Sequence, residues 1–240
     1  MKKNLIMMLF LFSVGFADAK EIELSEDMTQ SEFKEFVKEF GASLLFNPMA
    51  PAEPLGIVGF DVSLETVMTD ISDDQDYWIN AMSDNDPYSY LPIPRLHVQK
   101  GLLFNLDVGA MYVAVPDSNI KLWGLEAKYA FLEGGVVTPA LSMRASYSLL
   151  QGVDDVDMST QSLDILVSKG FLMLTPYAGA SLYRVSGSEN SSLVNLDDVN
   201  DTNYRGLVGV QFSPFPLLII NGEMSLGEVP QYGLKMGLRF

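Results

Sequence analysis

QYGLKMGLRF, residues 231–240, closes the chain with every second residue large and apolar: Tyr232, Leu234, Met236, Leu238 and Phe240. Gly233, Lys235, Gly237 and Arg239 alternate with them. A period of two marks a strand with one apolar and one polar face. In a soluble sheet the apolar face looks into a core. In a transmembrane barrel it looks into lipid, and the polar face lines a lumen. Chain ends fray unless something ties them down, so a strand that runs to the last residue needs a partner.

The opposite end favours export. Met1-Lys2-Lys3 is a short basic start, Leu5 to Phe12 is an apolar run, and Ala17-Asp18-Ala19 has the small-x-small form of a cleavage site. Together these predict a secretory signal peptide over residues 1–19. The alternative, an N-terminal membrane anchor, needs about 20 apolar residues to span as a helix, and the run is shorter. Hydrophobic residues make up 48% of the chain, enough to bury apolar surface. There is no cysteine, hence no disulfide framework and no thiolate metal site. A net charge of −16 argues against nucleic acid as a partner.

Residues 20–54 differ in pattern from the remainder of the chain. Thr29 and Glu32 have capping-box spacing. Phe33, Phe36, Val37, Phe40 and Leu44 then recur at helical intervals, with Lys34, Glu35, Lys38 and Glu39 opposite. The spacing predicts an amphipathic helix from about Gln30 to Phe46. Pro48, Pro51 and Pro54 favour an extended linker after it.

From residue 55 to 240 the period is mostly two. Ten candidate strands lie near 56–69, 91–100, 102–115, 120–132, 136–150, 159–169, 171–186, 203–213, 216–227 and 232–240. Pro176 in the seventh suggests a bulge. Short connections such as Lys100-Gly101 and Lys169-Gly170 alternate with longer ones such as Asp70 to Tyr90 and Gly187 to Thr202. Transmembrane barrels show this asymmetry, with short turns on the periplasmic side. An even strand count also returns both chain ends to that side. The longer connections hold Asp70, Asp73, Asp74, Asp76, Asp84, Asp86, Asp117, Asp154, Asp155, Asp157, Glu189, Asp197, Asp198, Asp201 and Glu228 without a Lys or Arg. The strand directions place Tyr112, Trp123, Tyr147, Tyr204 and Tyr232 toward the loops and Phe104, Phe131, Phe212 and Phe240 toward the turns, as two interfacial aromatic belts. The fold expected is therefore all-β: a closed antiparallel transmembrane barrel of about ten strands preceded by a short amphipathic helix.

The last strand, with Tyr232, Leu234, Met236, Leu238 and terminal Phe240, resembles the C-terminal strand signal of Gram-negative outer-membrane β-barrel proteins. The resemblance covers about nine residues and implies location in the outer membrane, contact with its lipid and lipopolysaccharide, and handling by the barrel-assembly machinery.

The opposite strand faces predict the lumen charges: the acids Asp61, Glu65, Asp107, Glu126, Asp164 and Glu223, and the bases Arg95, Lys128, Arg144, Arg205, Lys235 and Arg239, with Arg184 unassigned. In so narrow a barrel these charges either pair in a structural network or select small solutes along a polar path. Two functions stay open: a narrow conduit, or a structural or interaction barrel whose acidic crown meets ions, lipopolysaccharide or a partner. His97 is the only histidine and has lumen parity near the turn at Gly101. It is expected to be a satisfied interior residue, and no catalytic group, cofactor or metal is expected. The Asp-rich stretch Asp70–Trp78 is expected to be a solvated loop, with a weak divalent-ion contact as the alternative. Because the predicted lumen is charged, the Phe stripe is expected at the periplasmic rim, near Phe104, Phe131, Phe171 and Phe215, with a plug inside the lumen as the alternative.

Overall fold

Alternation gives each strand an inner and an outer face, and the strands close into a ring. In a computed structural model the ten strands are β1 (Phe60–Asp70), β2 (Tyr90–Gly101), β3 (Leu106–Ala114), β4 (Lys121–Glu133), β5 (Ala140–Gln151), β6 (Val156–Ser168), β7 (Leu174–Glu189), β8 (Val199–Phe215), β9 (Leu218–Leu226) and β10 (Gln231–Arg239). The structure describes residues 22–82, 87, 89–115 and 118–240. The expected signal peptide, and Asp84, Asp86 and Asp117, lie outside the described residues. Every strand pairs antiparallel with its chain neighbours, and β1 pairs with β10 to close the barrel. The register at this seam runs from Asp61 opposite Arg239 to Thr69 opposite Gln231. Phe240 is tied at both backbone groups: its N–H donates to the Phe60 carbonyl at 2.8 Å, and its carbonyl accepts from the Phe60 N–H at 3.0 Å. Such closure leaves no unpaired edge.

The outer face is apolar and exposed, with Leu64, Leu96, Leu125, Leu163, Leu182, Val208, Leu234 and Leu238 among its residues. Some strand limits differ from expectation at the turn end. Leu103–Asn105 form a 3₁₀ turn, so β3 starts at Leu106 rather than near 102. β5 starts at Ala140 and β7 at Leu174. The register shifts fall between Ala130 and Leu132 and between Phe212 and Phe215. No shift occurs at Pro176, which pairs in unbroken register with Val210.

Helix α1 (Gln30–Ser43) starts where the capping box places it. The Thr29 hydroxyl accepts from the Glu32 N–H at 3.3 Å, and the Glu32 carboxylate accepts from the Thr29 N–H at 2.7 Å. The helix stops at Ser43, short of the expected Phe46. Barrel side chains take carbonyls of its last turn: Gln231 Nε2 donates to the Ala42 carbonyl at 2.8 Å, and the Ser148 hydroxyl to the Leu44 carbonyl at 2.7 Å.

The position of α1 corrects the expectation of a periplasmic rim. Ile22 bridges to Met82 in the β1–β2 connection, and the Leu24 N–H donates to Asp155 in the β5–β6 connection at 2.9 Å. Gln30 bonds Asp197 in the β7–β8 connection, and Lys38 pairs with Glu228 in the β9–β10 connection. The helix therefore lies at the loop end. Residues 44–55 then run down through the lumen to the turn end, where a Cβ on Gly101 would strike the Gly56 backbone. Both ends of the barrel proper lie at the turn end as expected, but the segment before β1 doubles back, so Ile22 sits at the loop end.

The physical reason is a belt of inward-facing apolar residues near the loops. Met111, Val113, Leu122, Leu150, Val156, Met158, Tyr183, Val185 and Val199 form one buried core with Leu24, Phe33, Phe36, Val37, Phe40 and Trp78. Each large side chain so covered contributes about 1.5–3 kcal/mol. Phe104, Phe131, Phe171 and Phe215, the expected partners of the helix, are all exposed.

Candidate functional site: a lumen occupied by its own chain

Parity puts the predicted charges inside. Asp61, Glu65, Arg95, Asp107, Glu126, Lys128, Arg144, Asp164, Arg205, Glu223 and Lys235 are buried, and Arg239 is partly exposed at the turn end. Arg184, left unassigned, is exposed, and Nη2 donates to Asn200 Oδ1 at 2.9 Å. Of the residues of the expected assembly signal, Tyr232, Leu234, Leu238 and Phe240 are exposed on the outer face, and Met236 is half-buried there.

Seven of these charges form one series, a belt through His97. Glu65 Oε1 lies 2.5 Å from His97 Nδ1, and Glu126 Oε1 lies 3.0 Å from His97 Nε2. Glu126 also pairs with Arg144, whose Nη1 donates to Asp164 Oδ2 at 2.6 Å. Lys235 lies 3.6 Å from Glu65 and 3.7 Å from Asp61. Arg239 closes the series on Asp61 at 3.0 Å. Nearer the turns, Lys128 pairs with Asp107 at 3.1 Å. Buried charges need partners: nine of the twelve named charges are ion-paired, while Arg95 and Arg205 donate to the Leu45 carbonyl and Gln231 Oε1, and Glu223 accepts from the Tyr177 hydroxyl.

The lumen charges also serve the threaded segment. Residues 44–55 have no helix or sheet of their own, yet they run through the protein interior, where backbone polar groups need partners. Barrel side chains supply them. Arg95 Nη1 donates to the Leu45 carbonyl at 2.9 Å, and Arg144 Nη2 to the Phe46 carbonyl at 2.7 Å. Glu223 accepts from the Met49 N–H at 3.0 Å, and the Ser168 hydroxyl accepts from the Ala52 N–H at 3.0 Å. Lys128 donates to the Pro51 and Glu53 carbonyls at 3.2 and 3.0 Å. Asp107 accepts from the Leu55 N–H at 3.1 Å. The Phe46 ring packs edge-on to His97 at 4.7 Å and under the Arg144 guanidinium at 4.9 Å. Gly233 leaves room for Met49: a Cβ there would meet its sulfur at 2.5 Å.

The loop end holds a second fastening. Glu39 on α1 is buried. It accepts from the Ser72 N–H at 3.2 Å, the Ser72 hydroxyl at 3.0 Å, the Tyr77 hydroxyl at 3.2 Å and the Trp78 indole N–H. Tyr77 and Trp78 belong to the short helix α2 (Asp76–Ile79) in the β1–β2 connection. Trp78 meets Phe36 edge-on at 5.1 Å. The stretch expected to be a solvated loop is thus half cap: Trp78 is fully buried while Asp74 and Asp76 stay exposed. Among the described residues no group of three or more His, Asp or Glu side chains is placed to hold a metal ion.

The inward apolar belt and the threaded segment went unread in the sequence. Met111, Val113, Leu122, Leu150 and Met158 carry the same lumen parity as the charges, in the loop-end half of their strands, and that was the available signal.

No protein-family model matches the chain, and no curated protein matches it. Solved structures match in architecture at low identity. Ail, the attachment invasion locus protein of Yersinia pestis, in complex with the heparin analogue sucrose octasulfate, is 14% identical, with 76% of this chain and 98% of that one covered and a TM-score of 0.32. The N-terminal β-barrel domain of Pseudomonas aeruginosa OprF is 15% identical, with 75% and 97% covered and a TM-score of 0.33. Ail in a phospholipid bilayer nanodisc is 13% identical, with 76% and 99% covered and a TM-score of 0.34.

Proposed function

We propose that this chain is an outer-membrane β-barrel closed from within, a non-conducting interaction barrel that presents its loop end outside the cell. The observation that carries the proposal is the threaded segment, whose backbone groups from Ala42 to Leu55 are bonded to side chains of the barrel wall. The apolar outer face supports membrane placement, because a wall of exposed Leu and Val fits lipid. The alternating apolar strand that ends at Phe240 supports delivery by the barrel-assembly machinery. Asp73, Asp74, Asp154, Asp197, Asp198 and Glu228 lie in connections at the loop end, a surface suited to divalent ions, to lipopolysaccharide bridged by them, or to a basic partner. Catalysis has no part in the proposal. Both ring nitrogens of His97 face carboxylates and Phe46 packs on the ring, so no side of it is left for a substrate.

The narrow conduit expected from the sequence is the weaker alternative, because its path is occupied. Planar-bilayer recording of the purified full chain separates the two. Silence is expected across the voltages at which porins conduct. A steady ohmic conductance would restore the conduit.

A further inference from the structure

The two ends of the barrel differ in kind. The loop end carries the carboxylates. At the turn end the connections are apolar to their tips: Ile57 and Val58 before β1, Leu103 and Phe104 between β2 and β3, Val136 and Val137 between β4 and β5, Phe171 to Met173 between β6 and β7, and Phe215 and Leu217 between β8 and β9. Val136 is 99% exposed, Val137 87% and Phe104 86%. Isolated exposed apolar residues need no account, but a contiguous exposed set marks an interaction surface. Here the set recurs in every connection around the ring.

Two further observations bear on what covers it. Phe104, Leu172 and Leu217 have φ of 60°, 53° and 74°, the left-handed region that large side chains avoid. One such residue stands in each of three turns, and each is exposed. Tight hairpin turns call for such a backbone, and here large apolar side chains hold it in place of glycine. In addition, two lysines clasp turn carbonyls. Lys100 Nζ donates to Ile57 and to Gly59 at 3.1 Å. Lys169 Nζ donates to Gly135, to Val136 at 2.8 Å and to Thr138 at 3.1 Å. A turn in water does not need its carbonyls capped from within, whereas a turn entering a water-poor layer does.

We infer that the turn end is an interfacial anchor: its apolar tips enter the headgroup and upper acyl layer of the periplasmic leaflet instead of standing in the periplasm. The occupant is lipid because the apolar tips continue the outer wall and ring the whole circumference, as a planar layer demands. A protein partner would select one sector. The inference rests on the membrane placement proposed above.

The chain has no cysteine, so single Val136→Cys, Leu172→Cys, Leu125→Cys and Ser192→Cys variants can each carry one environment-sensitive fluorophore. All are read in phosphatidylethanolamine–phosphatidylglycerol vesicles. The quenchers are lipids brominated near the headgroup, lipids brominated deep in the chain, and iodide on both sides. The labels at 136 and 172 are expected to be quenched several-fold more by shallow bromines than by iodide. The wall label at 125 should answer to deep bromines and the loop label at 192 to iodide. Equal iodide quenching at 136, 172 and 192, with the wall label in lipid, would overturn the anchor while sparing the membrane placement. Iodide quenching at 125 as well would overturn both. Shielding at 136 and 172 from every quencher that rises with protein-to-lipid ratio would assign the rim to a second copy and overturn the lipid occupant.

Discussion

The lumen holds its threaded segment in two ways. At the loop end, α1 is gripped by apolar contact, with Phe33, Phe36 and Phe40 among Met111, Leu122, Met158 and Val185. A few residues further along, the extended chain is gripped by hydrogen bonds, with Arg144, Arg95 and Lys128 on its carbonyls and Glu223 and Asp107 on its N–H groups. A helix satisfies its own backbone and offers only side chains, so apolar walls suit it. An extended chain brings bare polar groups and needs polar walls. The wall changes character along its length because the guest changes secondary structure.

Several changes break or sharpen that contrast. The largest effect is expected in the polar zone. Arg144→Ala strands the carboxylates of Glu126 and Asp164 and the Phe46 carbonyl, and breaking a buried pair in this way costs about 3–5 kcal/mol. Urea unfolding of the barrel in lipid vesicles reads it. Adding Glu126→Gln should recover part of the loss, with a coupling of about 0.5–3 kcal/mol. Strict additivity of the two changes would mean that the belt is not a unit.

In the apolar zone Phe36→Ala is expected to cost about 3 kcal/mol by the same measurement, through lost burial and the cavity left beside Trp78. Its effect should be independent of the Arg144 change, since the two grip different stretches of the segment. A coupling as large as that within the belt would erase the distinction between the zones.

The smallest effect belongs to Lys38, which lies between Glu35 and Glu228 at the loop end. Burial works to lower its pKa, but bonding to Glu228 and the fields of Glu35 and Glu228 outweigh this, and the net direction is up from 10.5. A raised lysine pKa stabilises the fold below the ordinary value and loses that contribution as pH rises through the folded value. Lys38→Met is therefore expected to cost under about 1 kcal/mol at pH 7. The gap between variant and parent should close in titrations carried above 10.5. A gap that persists would assign the role of Lys38 to its aliphatic stem.

Strand count, closure and the inward set of charges were legible because a period of two is a local signal that neighbours reinforce. The start of α1 was legible from Thr29 and Glu32. The location of α1 was not. Reading the lumen by its ionisable residues gave a uniformly polar interior, although Met111, Val113, Leu122 and Leu150 stand at the same parity. The turn limits were missed for a related reason. Leu102, Phe104 and Leu106 continue the alternation into a 3₁₀ turn, and an apolar turn resembles a strand when only hydrophobicity is read.

The threading of residues 44–55 constrains the order in which the molecule is made. Gln231 and Gly233 on β10 touch Asn47 and Met49 of the segment, and β1 is its direct continuation. The seam between β1 and β10 is thus stitched from inside by the chain that leads into it. A ring that has already closed admits a strand only end-first, so the simplest route lays the N-terminal segment against the open sheet before the last pairing zips. Once zipped, the segment is held by topology as well as by contact. Extracting it then requires either drawing the chain that precedes it back through the bore or parting the seam, as with a clasp fastened from inside.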